Sequence, residues 1–229
     1  MLKKYTLFHL SFAMVFSIQV IAVLADLRPL ISATKPLVCI LPMAALYIET
    51  KLKGRFHKRI FIGLFFALVG DLFLLYNDSD PNYFSYGLAS FFLCHIFYIR
   101  AFYLDFSSAP ELDKKGARLA ILLCAVCSVS FYLFIRSHLG AMKLPVLAYV
   151  IVISFLVMMA AFRRFRVNNM SFKLILIGAI IFTLSDALLS LDKFVINFKG
   201  AEYSIVATYM LAQYLITLGA IERRLLLKD

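Results

Sequence analysis

Residues 68–76 read LVGDLFLLY, and the aspartate at position 71 sits in a run of residues that otherwise leave water. A bare carboxylate among Leu, Val and Phe costs enough that it has to be paired, protonated or turned towards a polar cavity. Working outward, the apolar run extends from Ile60 to Tyr76 with Asp71 as its one charge. The rest of the chain has the same character: 63% of its 229 residues are hydrophobic, none is Trp, and mean hydropathy is +0.89. An ordinary soluble domain is excluded, because it would show polar faces at helical or strand period, whereas most segments here are apolar all round. The expected fold class is therefore all-α: a polytopic transmembrane helical bundle forming one domain over residues 1–229. A transmembrane barrel would need alternating segments of about ten residues, and these are missing.

Apolar runs between charge clusters mark about eight spans, roughly 5–25, 33–50, 58–76, 82–104, 117–135, 143–162, 172–191 and 202–222, each near the ~20 residues that cross a bilayer. The second, with Pro36 and Pro42, is the shortest. The basic start MLKK precedes an apolar run as long as a span and no clear small-residue cleavage site follows, so the first helix is expected to stay. The formal charge of +11 could suggest nucleic acid, but the basic residues are placed as topology signals. Most lie at alternate span ends: Lys3 and Lys4; Lys51 to Arg59; Arg100 to Arg118; Arg163 to Lys173; Arg223 to Lys228. Arg28, Lys35, Arg136, Lys143, Lys193 and Lys199 fall at the opposite ends. The positive-inside rule then predicts an even number of spans with both termini cytoplasmic, in a bacterial cytoplasmic membrane, and no nucleic-acid partner. Cys39, Cys94, Cys124 and Cys127 all fall in spans, and the one CxxC pair reads as small core packing in an apolar helix.

Topology fixes depth. Asp71 lies five residues before the outer end of its span, about 7–8 Å down at 1.5 Å per residue. Asp186, in TLSDALLSLDKF, is at nearly the same depth of the seventh span, and Lys35 and Lys193 belong to the same leaflet. His95 and Gln213 lie about midway across the fourth and eighth spans. The halves also match: Gly70-Asp71-Leu72 with Ser185-Asp186-Ala187, and Leu93-Cys94-His95 with Leu211-Ala212-Gln213, at a shift of about 115–118 residues. Two parallel four-helix repeats, roughly 1–115 and 116–229, are expected, bringing Asp71 and Asp186 to a common cavity. A lone intramembrane Asp serves packing or pairing as readily as chemistry, and a lone His is more often a hydrogen-bonded core residue. Two aspartates at matched depth favour chemistry or transport. Asp78, Asp80 and Asp192 read as solvated ends.

GDLFLL followed by FFLCHIFYI, then SDALLSLDKF and YMLAQYLI, with TKPL near the start, resembles the membrane family that includes bacterial YhhN proteins and animal lysoplasmalogenases. The resemblance runs from Lys35 to about Ile216. It implies an eight-helix hydrolase that cleaves the vinyl-ether bond of a lysoplasmalogen to a fatty aldehyde and a glycerophospho-base. Carried over by motif, Asp71, Asp186 and His95 are catalytic, and Lys35, Lys193, Gln213 and Tyr98 bind substrate. Gln213 stands where some members carry His, so no proton-transfer role is carried to it. The implied partners are a lysophospholipid substrate and the bilayer. No cofactor or metal is expected: two Asp and a His could bind an ion, but no spacing demands one.

The residues suit that chemistry. An acid protonates the alkene carbon distant from oxygen, and water captures the resulting oxocarbenium ion as a hemiacetal, which collapses to aldehyde and alcohol. A carboxyl kept from water can hold the proton, and a second can steady the cation or orient the water. A proton-coupled transporter or lipid-binding protein would also keep paired membrane carboxylates. An intramembrane aspartyl protease would carry GxGD and PAL, but Leu68 stands at the expected first Gly and no PAL occurs.

Overall fold

The computed structural model describes residues 5–76, 80, 82–109 and 114–226. Lys3, Lys4, Asp78 and Lys228 lie outside the described residues. Nine α-helices are formed there: α1 Thr6–Leu24, α2 Arg28–Thr34, α3 Leu37–Thr50, α4 Arg55–Leu75, α5 Asn82–Phe106, α6 Lys114–Ile135, α7 Lys143–Ala161, α8 Asn169–Phe194 and α9 Ala201–Ile221. Helices α2 and α3 run together as one span, Arg28–Thr50, so the helices make eight membrane-length units, seven of them long and apolar enough to cross a membrane. The eighth, α4, is as long but carries Arg55, Lys58 and Arg59 at one end and Asp71 near the other. The protein is an all-helical, multi-pass integral membrane protein.

The second span begins at Arg28 rather than at residue 33. Pro29 sits in its first turn, where a missing N–H costs nothing. Pro36 has no N–H to give the carbonyl of Ser32, which interrupts the ladder between α2 and α3. Lys35 keeps helical backbone angles at the interruption (φ −56°, ψ −45°). The break therefore bends one span rather than ending it.

The two most extensive helix interfaces are α4 with α5 and α8 with α9. Each is closed by a glycine. A Cβ at Gly63 would come 3.3 Å from the Cys94 carbonyl oxygen and run into the Tyr98 ring; one at Gly178 would come 3.2 Å from the Ala212 carbonyl oxygen and 2.8 Å from Ile216. Missing side chains at these points let the backbones approach, which is how helices associate where lipid removes any hydrophobic preference for protein over solvent. Helix α6 is the exception to tight packing. It buries Ile135 alone, packs mainly on α7, and turns Leu122, Val126, Val129 and Leu133 outward.

The bundle has two chemically different ends. At one, Phe8 of α1 stacks on Tyr214 of α9, His57 at the start of α4 lies 3.2 Å from the Ala220 carbonyl oxygen, and Val167 bridges Leu225. Arg163, Arg166 and Arg223 gather there. The other end is formed by Arg28, Lys35, Lys193 and the 195–200 segment, and holds the predicted site.

Candidate active site

Asp71 on α4 and Asp186 on α8 are 2% and 8% exposed, and both line one polar cavity of about 320 Å³. Lys35, from the α2–α3 break, and Lys193, from the last turn of α8, line it too. The expected meeting of Asp71 and Asp186 at a common cavity is what the packing produces, with both lysines at its wall. The matched glycine-closed interfaces set α4 and α8 so that their aspartates face inward at one level.

Each aspartate is held by a residue from the other half of the chain. The Tyr209 hydroxyl of α9 donates to Asp71 Oδ2 at 2.7 Å. Cys39 Sγ, on α3, lies 3.1 Å from that hydroxyl and 3.5 Å from the carboxylate. Behind Tyr209, Gln213 Nε2 donates to its Oη at 3.4 Å, and the Tyr98 hydroxyl donates to Gln213 Oε1 at 2.7 Å. Lys35 lines the same cavity as Asp71 and forms no ion pair among the described residues.

Asp186 is faced by His95 of α5, with Nε2 3.2 Å from Oδ2. That is an ion-pair distance, yet the two atoms are not aligned for a hydrogen bond, and neither has another partner among the described residues. His95 Nδ1 donates to the Phe91 carbonyl one turn back at 2.5 Å. An imidazole that donates through Nδ1 to a backbone carbonyl leaves Nε2 as the ring atom that faces the Asp186 carboxylate. Phe182 and Tyr149 stand edge-on to the ring, at centroid distances of 4.7 and 5.4 Å, and fix its plane.

A second cavity, of about 360 Å³, opens between α6, α7 and α8 and is walled by Phe131, Val146, Val150, Ile153, Leu184 and other apolar side chains. It shares Leu74, Phe84, Phe91, Leu189 and Asp186 with the polar cavity. Asp186 is thus the charged group at the junction of a polar chamber and an apolar one.

Not every predicted site residue reaches these chambers. Gln213, Tyr98 and His95 are fully buried and line neither; the first two sit behind Tyr209, and His95 reaches the chambers only through Asp186. Asp192 departs from its expected role as a solvated end: it lines the polar cavity, and its Oδ1 is buried without a hydrogen-bond partner among the described residues. Tyr209 and Cys39 were missed, although each lies four residues from a predicted residue on the same helical face, Gln213 and Lys35. Tyr149 gave no signal, since beyond Lys143 its helix carries no charge to mark a face. The basic cluster holds a surprise of the same kind. Arg163 and Arg166 are buried rather than simply topogenic, and Arg163 pairs with buried Asp105 at 2.8 Å. Among the described residues no three His, Cys, Asp or Glu side chains are grouped as a metal ion would need.

Known proteins resemble this chain over most of its length. The family model described as "YhhN family" matches residues 30–220, which include Lys35, Asp71, His95, Asp186, Lys193 and Tyr209. The chain is 32% identical over 176 residues to a protein of Bos taurus named "Lysoplasmalogenase TMEM86A", covering 72% of this chain and 66% of that one. Its human counterpart is 31% identical over 170 residues with the same coverage. A protein of Mycobacterium bovis named "Lysoplasmalogenase" is 27% identical over 169 residues, covering 72% of this chain and 61% of that one. The chain spans about two thirds of the length of the curated relatives it matches. No solved structure matches it. With a family model that covers most of the sequence and a polar centre assembled from its matched region, the chain belongs to the YhhN family.

Proposed function

We propose that the protein hydrolyses the vinyl-ether bond of a lysoplasmalogen, or of a related ether lysolipid, using Asp186, His95 and Asp71. The observation that carries this is the meeting of a polar and an apolar cavity at Asp186. A single-chain lipid with its alkyl chain in the apolar cavity and its headgroup in the polar one has its ether linkage at that junction. The names of the relatives point to the same substrate class.

In this mechanism the proton held by Asp186 and His95 goes to the alkene carbon distant from oxygen, leaving an oxocarbenium ion. Asp71, oriented by Tyr209, steadies that cation and takes a proton from the attacking water. The hemiacetal then breaks its bond to the glycerol oxygen, which leaves with a proton as the alcohol. One water is consumed, and a fatty aldehyde and a glycerophospho headgroup are released. Lys35 and Lys193 attract the phosphate at the mouth, where a point charge suffices. Tyr98 and Gln213 act through Tyr209, without touching substrate.

The crosswise hydrogen bonding also supports two parallel repeats. Gly63 against Cys94 and Gly178 against Ala212 are related by the same shift as Asp71 to Asp186 and His95 to Gln213. On the positive-inside rule the basic end is cytoplasmic and the site opens to the other side; cysteines placed in the 51–54 and 195–200 loops should be labelled from opposite faces of intact cells.

The test is mass spectrometry of the purified protein with a lysoplasmalogen and with its ester analogue. Aldehyde release from the vinyl ether alone is expected. Recovery of both lipids intact, with the vinyl ether moved across a vesicle membrane, would replace hydrolysis by transport.

A further inference from the structure

The polar cavity contains more charge than a phosphate and a scissile bond require. Beyond Asp71 and Asp186 it is lined by Asp192 and Glu202, together with Arg28, Lys35 and Lys193. Glu202 has an ordinary explanation, because it lies in the first turn of α9, where a carboxylate answers the helix dipole. Asp192 has none. It precedes Lys193, yet Lys193 is turned away, its Nζ 4.8 Å over the Phe84 ring, and Asp192 Oδ1 is buried with no hydrogen-bond partner among the described residues. Leaving a carboxylate oxygen in that condition is costly unless a ligand completes it.

Gln19 of α1 provides an independent sign. It is fully buried, lines the same cavity, and its amide is half satisfied: Thr34 contacts Oε1, while Nε2 has no partner among the described residues. The Thr34 hydroxyl has a single hydrogen, and the Leu30 carbonyl is 2.7 Å away to take it. Gln19 then donates to Thr34 and turns its carbonyl oxygen to the unpartnered side. The wall of the cavity so presents an amide oxygen and a carboxylate oxygen, both acceptors, both without donors.

We infer that Asp192, with Gln19 and Glu202, forms an ammonium-reading subsite that selects headgroups carrying a primary amine beyond the phosphate. This rests on the lysolipid reading above. Asp192 lies six residues beyond Asp186 on α8, about 9 Å along the helix, so cleavage and amine recognition fall at opposite ends of one extended headgroup. Lys35 takes the phosphate between them. Phe84, Phe91 and Tyr209 also line the cavity, but Lys193 already occupies the face of Phe84, and the acceptor oxygens favour a primary ammonium with N–H donors over a trimethylated one.

The experiment measures binding of uncleavable 1-O-alkyl lysolipids to the full-length protein in nanodiscs, with phosphoethanolamine, phosphocholine or phosphoglycerol headgroups. The wild type should bind the phosphoethanolamine lipid about tenfold more tightly than the phosphoglycerol lipid, the value of one charge-assisted contact, with phosphocholine between. Asp192→Asn should reduce that preference to within about twofold; Asp192→Ser serves the same purpose if the amide perturbs folding. Equal binding by the wild type, no binding of the phosphoethanolamine lipid, or a preference that survives both substitutions overturns the subsite. Aldehyde release is a separate readout. Selective amine binding without aldehyde from the vinyl-ether lipid removes the hydrolase reading and leaves this one standing.

Discussion

The two ends of the bundle both bury carboxylates, and they treat them oppositely. At the basic end, Asp105 Oδ2 accepts from Arg163 Nε at 2.8 Å and Oδ1 accepts from Arg223 Nε at 2.7 Å. The Arg163 guanidinium also donates to the Ser171 hydroxyl at 2.8 Å and to its carbonyl at 3.2 Å, and the Ser171 hydroxyl donates to the Gly219 carbonyl. Phe56 and Phe102 cover the Arg163 guanidinium. At the site end, Asp186 Oδ2, His95 Nε2, Asp192 Oδ1 and one end of the Gln19 amide lack hydrogen-bond partners among the described residues. His9 Nε2 and Thr217 Oγ1 share that condition elsewhere, but neither lines the polar or the apolar cavity as Asp186, Asp192 and Gln19 do. A closed network fixes helices. An open cluster of acceptors and proton carriers beside a cavity is arranged to meet something else.

The comparison breaks most sharply at the aspartates. Asp186→Asn and Asp71→Asn should each lower the rate of aldehyde release by about 10²- to 10⁴-fold, the range for removing a positioned acid or base, with unfolding in detergent little changed. The double variant should be scarcely slower than the more damaged single, because the pair works as one unit. Near-normal turnover by folded Asp71→Asn would make the site end structural as well.

Asp105→Asn probes the other side. Removing one partner leaves two arginines facing no charge, and about 3–5 kcal/mol of stability should go. Specific activity of the molecules that remain folded should hold. Chemical denaturation in detergent alongside turnover separates the two effects, and loss of activity without loss of stability would dissolve the distinction between the ends.

Tyr209→Phe keeps the ring that packs on Phe91 and Phe182 but removes the donor to Asp71. About a tenfold fall in kcat is expected, with KM nearly constant. The smallest effect belongs to Lys35→Ala, which should raise KM several-fold and leave kcat close to normal, since a point charge on phosphate attracts ground state and transition state alike. A fall in kcat at unchanged KM would move Lys35 into the chemical step.

Asp71, Asp186, Lys35 and Lys193 were legible because charge in an apolar span is expensive and because topology assigns depth to it. Tyr209 and Cys39 were not, since a tyrosine or cysteine in a membrane helix is unremarkable until it is known which helix face meets which. Arg163 was read as a topology signal for a related reason: its sequence neighbours Arg164 and Arg166 share its charge, and only the return of Asp105 and Arg223 to the same place makes it a buried structural ion.

The sequence by itself determined the bilayer-spanning helices and the level of the two aspartates, because hydrophobic run length and helical rise are local properties of the chain. The tertiary structure decided the pairing: Asp71 with Tyr209, Asp186 with His95, and Asp186 at the meeting of the polar and the apolar cavity. Those contacts join residues far apart in the chain, and they depend on how closely Gly63 and Gly178 let neighbouring backbones approach. No local pattern carries that information, since it is a property of two surfaces fitted together.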